Sequence, residues 1–298
     1  MRNGQTPQAF KRSVIKAAYE KALLDPLFKT TDDCGVVLKY LPDESIYVVN
    51  GEQFNMKLTY KEDIFLLDKL FQLRSIRNQP TLLVKSDIEE LHGKVVVVFG
   101  GTYGIGQEIC EICREYKTTL YVYSRSTGVD VSNSQSVRRV LSEIYEKEGR
   151  IDWIVNTAGI LDKQPLANMS YEVVHRSIDI NYLGNIIVAK ESFSYLKESK
   201  GSLLFFTSSS YTRGRALYSL YSSSKAAIVN FVQALSEEWF EYDIRVNCIN
   251  PERTKTPMRI QNFGNEPEDT LLEPKVVAIV SVNTLLSEMT GEVVDVKR

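Results

Sequence analysis

Apolar runs rich in β-branched residues alternate with amphipathic segments through the last two thirds of the chain. Residues 95–98 are four consecutive valines, which is typical of a strand that is covered on both faces. Strands that alternate with helices at this spacing predict an α/β fold with a doubly wound, parallel, Rossmann-type sheet. The predicted strands lie within 95–98, 118–126, 151–160, 201–209, 244–258 and 291–298, and the predicted helices within 104–116, 134–148, 171–198, 221–242 and 273–287.

The first part of the chain, residues 1–75, has shorter patterns and few strands, so it makes only a marginal α/β domain by itself. Residues 76–92 contain Pro80 and several polar side chains and are the predicted linker to a domain at 93–298. Within the first part, the patterns predict helices within 1–28 and 30–41, strands at 46–49 and 55–59, and a helix at 60–76.

Composition excludes several classes of protein. The 298 residues are 43% hydrophobic and 25% charged, which is ordinary for a globular protein, and the net charge of −2 favours neither nucleic acid nor an anionic membrane as a partner. The first residues lack the apolar core of a signal peptide, and no apolar run is long enough to cross a membrane. We therefore expect a cytoplasmic protein.

The cysteines and histidines predict no metal site. Cys110 and Cys113 have the spacing of two ligands, but no second pair of cysteines or histidines accompanies them. We expect these thiols to be reduced and structural.

A glycine-rich turn follows the valine run and opens a helix. Gly100, Gly101, Gly104 and Gly106 leave room for a pyrophosphate at the helix N-terminus, where the helix dipole favours negative charge. The turn therefore predicts a dinucleotide site.

About twenty residues beyond this turn, the next strand ends in Ser124 and Arg125. An acidic residue at this point would bind the ribose 2′-hydroxyl of NAD, whereas a small residue followed by arginine suits the 2′-phosphate of NADP. The cofactor predicted is NADPH; the alternative is that Arg125 is a solvated surface arginine.

A Tyr-x-x-x-Lys pair is the candidate catalytic element. Lys225 lies one helical turn beyond Tyr221, so its ammonium can lower the pKa of the phenol and make it a proton donor. Ser208 precedes the tyrosine by thirteen residues. Asn181 lies in the middle of a predicted helix, where a buried amide needs partners. The alternative for the pair is two surface residues at a common helical spacing.

From residue 93 to residue 298 the chain resembles the short-chain dehydrogenase/reductases. The matching motifs occur in the family order: the glycine turn at 100–106, Asp130 with Val131, the sequence NTAG at 156–159, the catalytic candidates, and NPERTKT at 250–256. By this resemblance, the cofactor-binding residues are Gly100, Gly101, Thr102, Gly104, Ile105, Gly106, Ser124, Arg125, Asp130, Val131, Asn156, Ala158, Gly159, Pro251 and Thr256.

The resemblance also implies a role for each catalytic candidate. Tyr221 would protonate the substrate carbonyl oxygen as hydride arrives from the nicotinamide, and Ser208 would bind that oxygen. Lys225 would hold the ribose and acidify the phenol. Asn181 would complete a proton relay.

Three residues depart from the family pattern. Phe99 stands where a threonine usually precedes the first glycine, Thr157 replaces a second asparagine, and Glu252 replaces the glycine after Pro251. Glu252 is the departure of most consequence, because a glycine there is free in φ and a glutamate is not.

The first 75 residues resemble the C-terminal third of the sugar-phosphate cytidylyltransferases. The segments 5–10, 30–35 and 55–64 carry the likeness, and by it Lys57 matches a phosphate-contacting lysine and Thr31 with Asp32 a substrate-side turn. The nucleotide-binding basic loop of that family has no counterpart. We therefore expect a truncated remnant without transferase activity, serving as scaffold or as a dimer-forming arm.

The two resemblances together match the plan of bacterial bifunctional enzymes that form CDP-ribitol for capsule or wall polymers. In these enzymes the reductase half converts D-ribulose 5-phosphate to D-ribitol 5-phosphate with NADPH. Such a substrate needs cations, and the candidates are Arg213, Arg215 and Lys163, with Arg253 and Lys255 as further ones. The alternative is that this basic loop is simply solvated.

Other functions remain open at this point. The chain could reduce another carbonyl, such as a β-ketoacyl thioester or another ketose, or act as a catalytically silent partner of a full-length enzyme. The resemblance also implies a homodimer or homotetramer.

Overall fold

The computed structural model describes residues 8–30, 32–50, 55–64, 66–67 and 91–298. The chain divides into two compact units between Arg74 and Ser75. Of the predicted linker at 76–92, only residues 91–92 are described, and Thr31 also lies outside the described residues.

Two short helices form the core of the first unit. They are α1, Arg12–Ala22, and α2, Asp33–Tyr40, both within the predicted helical segments. Asp32 caps α2 by accepting a hydrogen bond from the Gly35 amide at 2.6 Å, which satisfies one of the free donors of a helix N-terminus. The buried contact between the helices is made by Ala18, Ala22, Val36 and Val37.

The strands predicted at 46–49 and 55–59 were wrong, because both segments have irregular backbone. Ile46 packs against the helices, but Tyr47 is 90% exposed and Val49 86% exposed, so most of the apolar run is uncovered. A strand is stable only beside a neighbour that pairs with it, and the described part of this unit contains no strand. Residues 61–64 and 66–67 are helical, and the rest of the predicted helix at 60–76 lies mostly outside the described residues.

The second unit is built on a six-stranded parallel sheet with the order β2-β1-β3-β4-β5-β6, which confirms the predicted fold class. The strands are β1 Val95–Phe99, β2 Thr119–Tyr123, β3 Trp153–Asn156, β4 Ser202–Phe206, β5 Arg245–Pro251 and β6 Val293–Val296. The helices are α3 Gly104–Glu115, α4 Ser134–Glu148, α5 Tyr171–Ile178, α6 Gly184–Ser199, α7 Ser219–Glu238, α8 Pro257–Phe263 and α9 Pro274–Leu286.

The valine run shows why the sheet needs helices on both faces. Val95 and Val97 belong to one buried cluster, with side chains of α4, α6 and α7. Val96 and Val98 point the other way and belong to a second cluster, with side chains of α3 and α9. Successive side chains of a strand alternate between faces, so a continuous apolar run fits only a strand covered twice.

The strand order reverses direction at β1, which lies between β2 and β3. In an open parallel sheet, the loops after the strands on either side of such a reversal diverge and leave a crevice at the carboxyl ends. The loops that follow β1, β3, β4 and β5 therefore meet at one edge of the sheet. Among the described residues, none of the helices has both the length and the apolarity needed to span a bilayer.

Replacement of Leu141 tests the core of this unit. Leu141 lies on α4 and is fully buried, so Leu141→Ala should lower the free energy of unfolding by about 2–5 kcal/mol. Both tryptophans, Trp153 and Trp239, are in the second unit, so urea unfolding followed by tryptophan fluorescence reports on this unit. Leu166, which is 56% exposed, provides the matched control: Leu166→Ala should change stability by no more than about 0.5 kcal/mol. Equal losses from the two variants would contradict this view of the core.

Candidate active site

A cleft of about 690 Å³ opens at the carboxyl edge of the sheet. Its walls come from the loops after β1, β3, β4 and β5, together with the start of α7 and most of α8. A volume of this size is typical of a small-molecule site. Among the predicted site residues, the cleft is lined by Gly100, Thr102, Gly104, Ile105, Gly106, Arg125, Ala158, Gly159, Ser208, Tyr221, Lys225, Pro251 and Thr256.

Tyr221 and Ser208 reach this cleft from adjacent elements. Tyr221 lies in the first turn of α7, and Ser208 follows β4 and caps the short turn Ser209–Tyr211. Burial raises the pKa of Tyr221 to about 12, and a hydrogen bond with Ser208 opposes that rise. The phenol is therefore in its protonated form at neutral pH, and a hydroxyl group lies beside it.

Lys225 is buried one turn further along α7. Its Nζ donates a hydrogen bond to the Phe206 carbonyl at 2.7 Å and lies 5.4 Å from the centre of the Tyr221 ring. Burial lowers the pKa of Lys225 to about 8.

The sequence led us to expect that Lys225 lowers the pKa of Tyr221, whereas in the structure the pKa of the phenol is raised. The physical reason is desolvation, which is the largest effect on both groups and disfavours the charged form of each. The predicted residues are thus together in the cleft, but the direction of the pKa change differs from the expectation.

The end of β4 also holds the backbone of α7. The Thr207 hydroxyl donates to the Lys225 carbonyl at 2.7 Å, and both groups are buried. This bond, with that from Lys225 to Phe206, fixes the first turns of α7 against the strand that carries Ser208.

Asn181 lies in a π-helical turn, Asp179–Leu183, that joins α5 to α6. Its side chain accepts a hydrogen bond from the Ile160 amide and donates one to the Ile160 carbonyl, both at 2.9 Å. Asn181 is buried and does not line the cleft. It fastens the loop after β3, so Gly159 is held between the Asn181 amide and the Lys225 ammonium.

The glycine turn after β1 is packed too closely for side chains. A Cβ on Gly106 would lie 2.4 Å from the Gly100 carbonyl oxygen, and one on Gly100 would lie 2.6 Å from the Ala158 amide nitrogen. Gly100 and Gly104 also have positive φ, a conformation that favours glycine.

Helix α3 begins at this turn without a side-chain cap from Tyr103 and without an acidic residue in its first turn. Its first amide groups are therefore available to bind an anion in the cleft, and the helix dipole also favours negative charge there. Arg125 lines the same cleft. These residues fit the phosphates of a dinucleotide.

Five of the predicted cofactor residues lie outside the lining of the cleft: Gly101, Ser124, Asp130, Val131 and Asn156. Several of them support the lining residues instead. The Asp130 carboxylate accepts two hydrogen bonds from Ser132, and Asn156 is buried, donates to Asn185 and accepts from the Ala158 amide.

The departures at Thr157 and Glu252 both fit the fold. The Thr157 hydroxyl donates to the carbonyls of Phe99 and Gly100 at 3.1 and 3.0 Å, which ties the loop after β3 to the glycine turn. Glu252 has no positive φ, and its amide donates to the Val296 carbonyl at 3.0 Å. A glutamate therefore causes no backbone strain at this position.

The three main candidates for substrate cations do not line the cleft. Arg213 and Arg215 are exposed, and neither they nor Lys163 line it. Residues 212–217, between Ser208 and Tyr221, are exposed, which sequence spacing does not reveal. Lys163 instead lies 4.4 Å from the ring centre of Phe263.

Besides Arg125, three arginines line the cleft: Arg176, Arg253 and Arg259. Sequence reasoning identified Arg253 as a further candidate but missed Arg176 and Arg259. Arg259 follows the motif at 250–256 by three residues, and this nearness was the signal available in the sequence. Within the described residues, no group of three or more His, Cys, Asp or Glu side chains could hold a metal ion.

Comparison with known families assigns both parts of the chain. The family model described as short chain dehydrogenase matches residues 126–267. The model described as 2-C-methyl-D-erythritol 4-phosphate cytidylyltransferase matches residues 1–72.

Individual relatives agree with these matches. The bifunctional ribulose 5-phosphate reductase/CDP-ribitol pyrophosphorylase Bcs1 of Haemophilus influenzae is 48% identical over 98% of this chain and 62% of its own length. The chain thus spans about three fifths of that relative. The acetoacetyl-CoA reductase of Acinetobacter sp. (strain RA3849) is 32% identical over 55% of this chain and 76% of its own length. The crystal structure of a small-chain dehydrogenase in complex with NADPH matches with a TM-score of 0.60 and 27% identity, covering 68% of this chain and 96% of that one.

The lowered pKa of Lys225 predicts a pH dependence of stability. Between pH 8 and the usual lysine pKa near 10.5, the unfolded chain binds a proton that the folded chain has released, so stability rises with pH in this window. A difference of about 2.5 pKa units corresponds to about 3 kcal/mol. Without added cofactor, the wild type should therefore gain about 3 kcal/mol relative to Lys225→Met as the pH rises from 8 to 10.5.

Urea unfolding followed by tryptophan fluorescence across this pH range measures the difference. Lys190 is exposed and provides the control, because Lys190→Met should follow the wild-type pH profile. Parallel profiles for the wild type and Lys225→Met would contradict the lowered pKa.

Proposed function

The chain belongs to the short-chain dehydrogenase family, and from this premise we propose that it is an NADPH-dependent reductase of D-ribulose 5-phosphate, with D-ribitol 5-phosphate as product. The choice of substrate rests on one observation: over nearly its whole length, the chain is 48% identical to a relative named as a ribulose 5-phosphate reductase. The convergence of Tyr221, Ser208 and Lys225 in one cleft supports the reaction class.

The residues that would hold the cofactor follow from the cleft. The uncapped N-terminus of α3 and the close-packed Gly100 and Gly106 suit the pyrophosphate. Arg125, with no acidic residue at the end of β2, suits a 2′-phosphate. When bound, the reduced nicotinamide supplies a hydride for the carbonyl carbon.

Tyr221 supplies the proton in this proposal. The hydride, with its two electrons, bonds to the carbonyl carbon, and the C=O π pair moves to oxygen. The proton on Tyr221 Oη then moves to that oxygen to give the alcohol. A pKa of about 12 keeps the phenol protonated before the transfer, and Ser208 donates a hydrogen bond to the same oxygen.

Lys225 and Asn181 act around this transfer. When it is charged, Lys225 stabilises the phenolate that remains, because it lies within 5.4 Å of the ring centre. Asn181 holds the loop after β3 through Ile160, and its part in returning a proton to Tyr221 is also proposed.

A second candidate is reduction of a β-ketoacyl thioester, which the 32% identity to an acetoacetyl-CoA reductase supports. Another ketose and a catalytically silent partner are further alternatives from the sequence. We also propose that the protein is a homodimer or homotetramer, as the family resemblance implies.

Turnover and its dependence on Tyr221 test the proposed function. The wild type with NADPH and D-ribulose 5-phosphate should lose nicotinamide absorbance, and at a much higher kcat/KM than with acetoacetyl-CoA. Tyr221→Phe should reduce kcat by about 10²–10⁴-fold, because it removes the general acid while preserving the ring. Tyr171→Phe, at an exposed tyrosine, should leave kcat unchanged. Faster turnover of acetoacetyl-CoA would replace the substrate proposed here, and unchanged turnover in Tyr221→Phe would exclude Tyr221 as the acid.

Cofactor choice depends on Arg125 in this proposal. Arg125→Ala should raise KM for NADPH by at least about tenfold and leave KM for NADH nearly unchanged, because only NADPH carries the phosphate that the guanidinium binds. Arg139 is exposed, pairs with Glu143 and does not line the cleft, so Arg139→Ala serves as the control. The proposal for Arg125 fails if its replacement changes both KM values equally.

A further inference from the structure

Two arginines on the substrate side of the cleft share one carboxylate. Arg259 donates from Nε and Nη2 to the two oxygens of Glu266 at 2.6 and 2.8 Å, and Arg253 Nη1 lies 3.9 Å from the same group. Lys163 also acts on Glu266, because all three cations lower the pKa of this carboxyl group. Three positive charges around one negative charge leave the cluster with a net positive charge.

The guanidinium of Arg259 is held in a fixed position relative to the catalytic phenol. Its Cζ lies 3.8 Å from the ring centre of Phe263. Phe263 makes an edge-on contact with Tyr218 at 6.0 Å between centroids, and Tyr218 in turn contacts Tyr221 at 6.3 Å. A continuous set of ring contacts therefore joins Arg259 to Tyr221, and Arg259 is close enough that its charge lowers the pKa of Tyr221.

Hydrogen-bonding capacity remains on Arg259 after these contacts. A guanidinium has five N–H donors, and Glu266 accepts two of them. The other three have no partner among the residues that the structure describes. Arg176 lines the same cleft and also keeps free donors, but it differs in charge, because it pairs one to one with Asp162 through Nη2.

We propose that Arg259 binds the phosphate of the substrate, with Arg253 beside it and with Glu266 and Phe263 as positioning residues. The inference rests on the proposed function and gives it a specificity-determining residue. A planar guanidinium matches two phosphate oxygens, which a single ammonium does not. Glu266 occupies the Nε edge, which leaves the Nη1 edge of this cleft-lining residue for a phosphate. The phosphate would then be bound at a set distance from Tyr221, and the carbonyl at the other end of a short sugar would be positioned for protonation.

The kinetic test replaces the guanidinium and varies the substrate. Arg259→Gln should raise KM for D-ribulose 5-phosphate by about 10–100-fold, since a charge-assisted pair is lost. KM for NADPH should not change, and kcat/KM should fall far less for unphosphorylated D-ribulose than for D-ribulose 5-phosphate. Arg259→Lys should give an intermediate KM. Arg213 is an exposed arginine outside the cleft, so Arg213→Gln should leave all of these values unchanged.

A binding experiment separates this inference from the proposed function. Calorimetric titration with D-ribitol 5-phosphate needs no turnover. Arg259→Gln should raise the Kd for this ligand by at least about tenfold. Thermal unfolding of the variant shows whether it is folded. If Arg259→Gln does not fold, the Kd of Arg259→Lys for D-ribitol 5-phosphate is compared with that of the wild type instead, and it should also be higher.

The outcomes distinguish the two proposals. Wild-type turnover of D-ribulose 5-phosphate with unchanged KM and Kd in Arg259→Gln would overturn the inference and leave the proposed function. Absence of wild-type turnover with Arg259-dependent binding of D-ribitol 5-phosphate would overturn the proposed function and support the phosphate site. Wild-type protein that does not bind D-ribitol 5-phosphate would overturn the inference.

Discussion

The site depends on the attachment of α7 to the end of β4. Lys225 donates from its buried ammonium to the Phe206 carbonyl, and Thr207 donates to the Lys225 carbonyl. Burying a lysine is unfavourable, and its lowered pKa measures that penalty. The core on both faces of the sheet must supply the stability that offsets it. This attachment holds Ser208, which follows β4, beside Tyr221 of α7 before any substrate binds.

The sheet was predictable from sequence because its signal is local. A strand covered on both faces is apolar at every position, and Val95 to Val98 meet that requirement. The apolar run at 46–49 has a similar local composition, yet it is irregular and exposed. The difference lies in the neighbours, since pairing depends on chain segments far away in sequence, and periodicity within one segment carries no information about them.

The same limit explains the substrate cations. Arg213 and Arg215 lie between Ser208 and Tyr221 in sequence, but both are exposed and outside the lining of the cleft, because the two ends of a loop do not fix the position of its middle. Arg259 is far from Tyr221 in sequence and near it in space, because α8 folds over the cleft and Phe263 packs against Tyr218. The glycine turn and the Tyr-x-x-x-Lys pair could be recognised because each is a local pattern with fixed spacing, whereas residues from any element can contribute to the phosphate site proposed here.

The charges around Tyr221 place opposing demands on the site. An acid must keep its proton until the carbonyl is reduced, and burial favours this by raising the pKa of the phenol. The acid must then release that proton, and nearby cations favour the release. Arg259 contributes positive charge from the substrate side and Lys225 from beneath the ring. A phosphate bound to Arg259 would offset that positive charge, so the pKa of the phenol would rise further while substrate is bound. Release of the proton would then depend chiefly on Lys225 and on the negative charge that develops on the substrate oxygen. In the proposed mechanism, the buried lysine is therefore unfavourable for stability but needed for release of the proton.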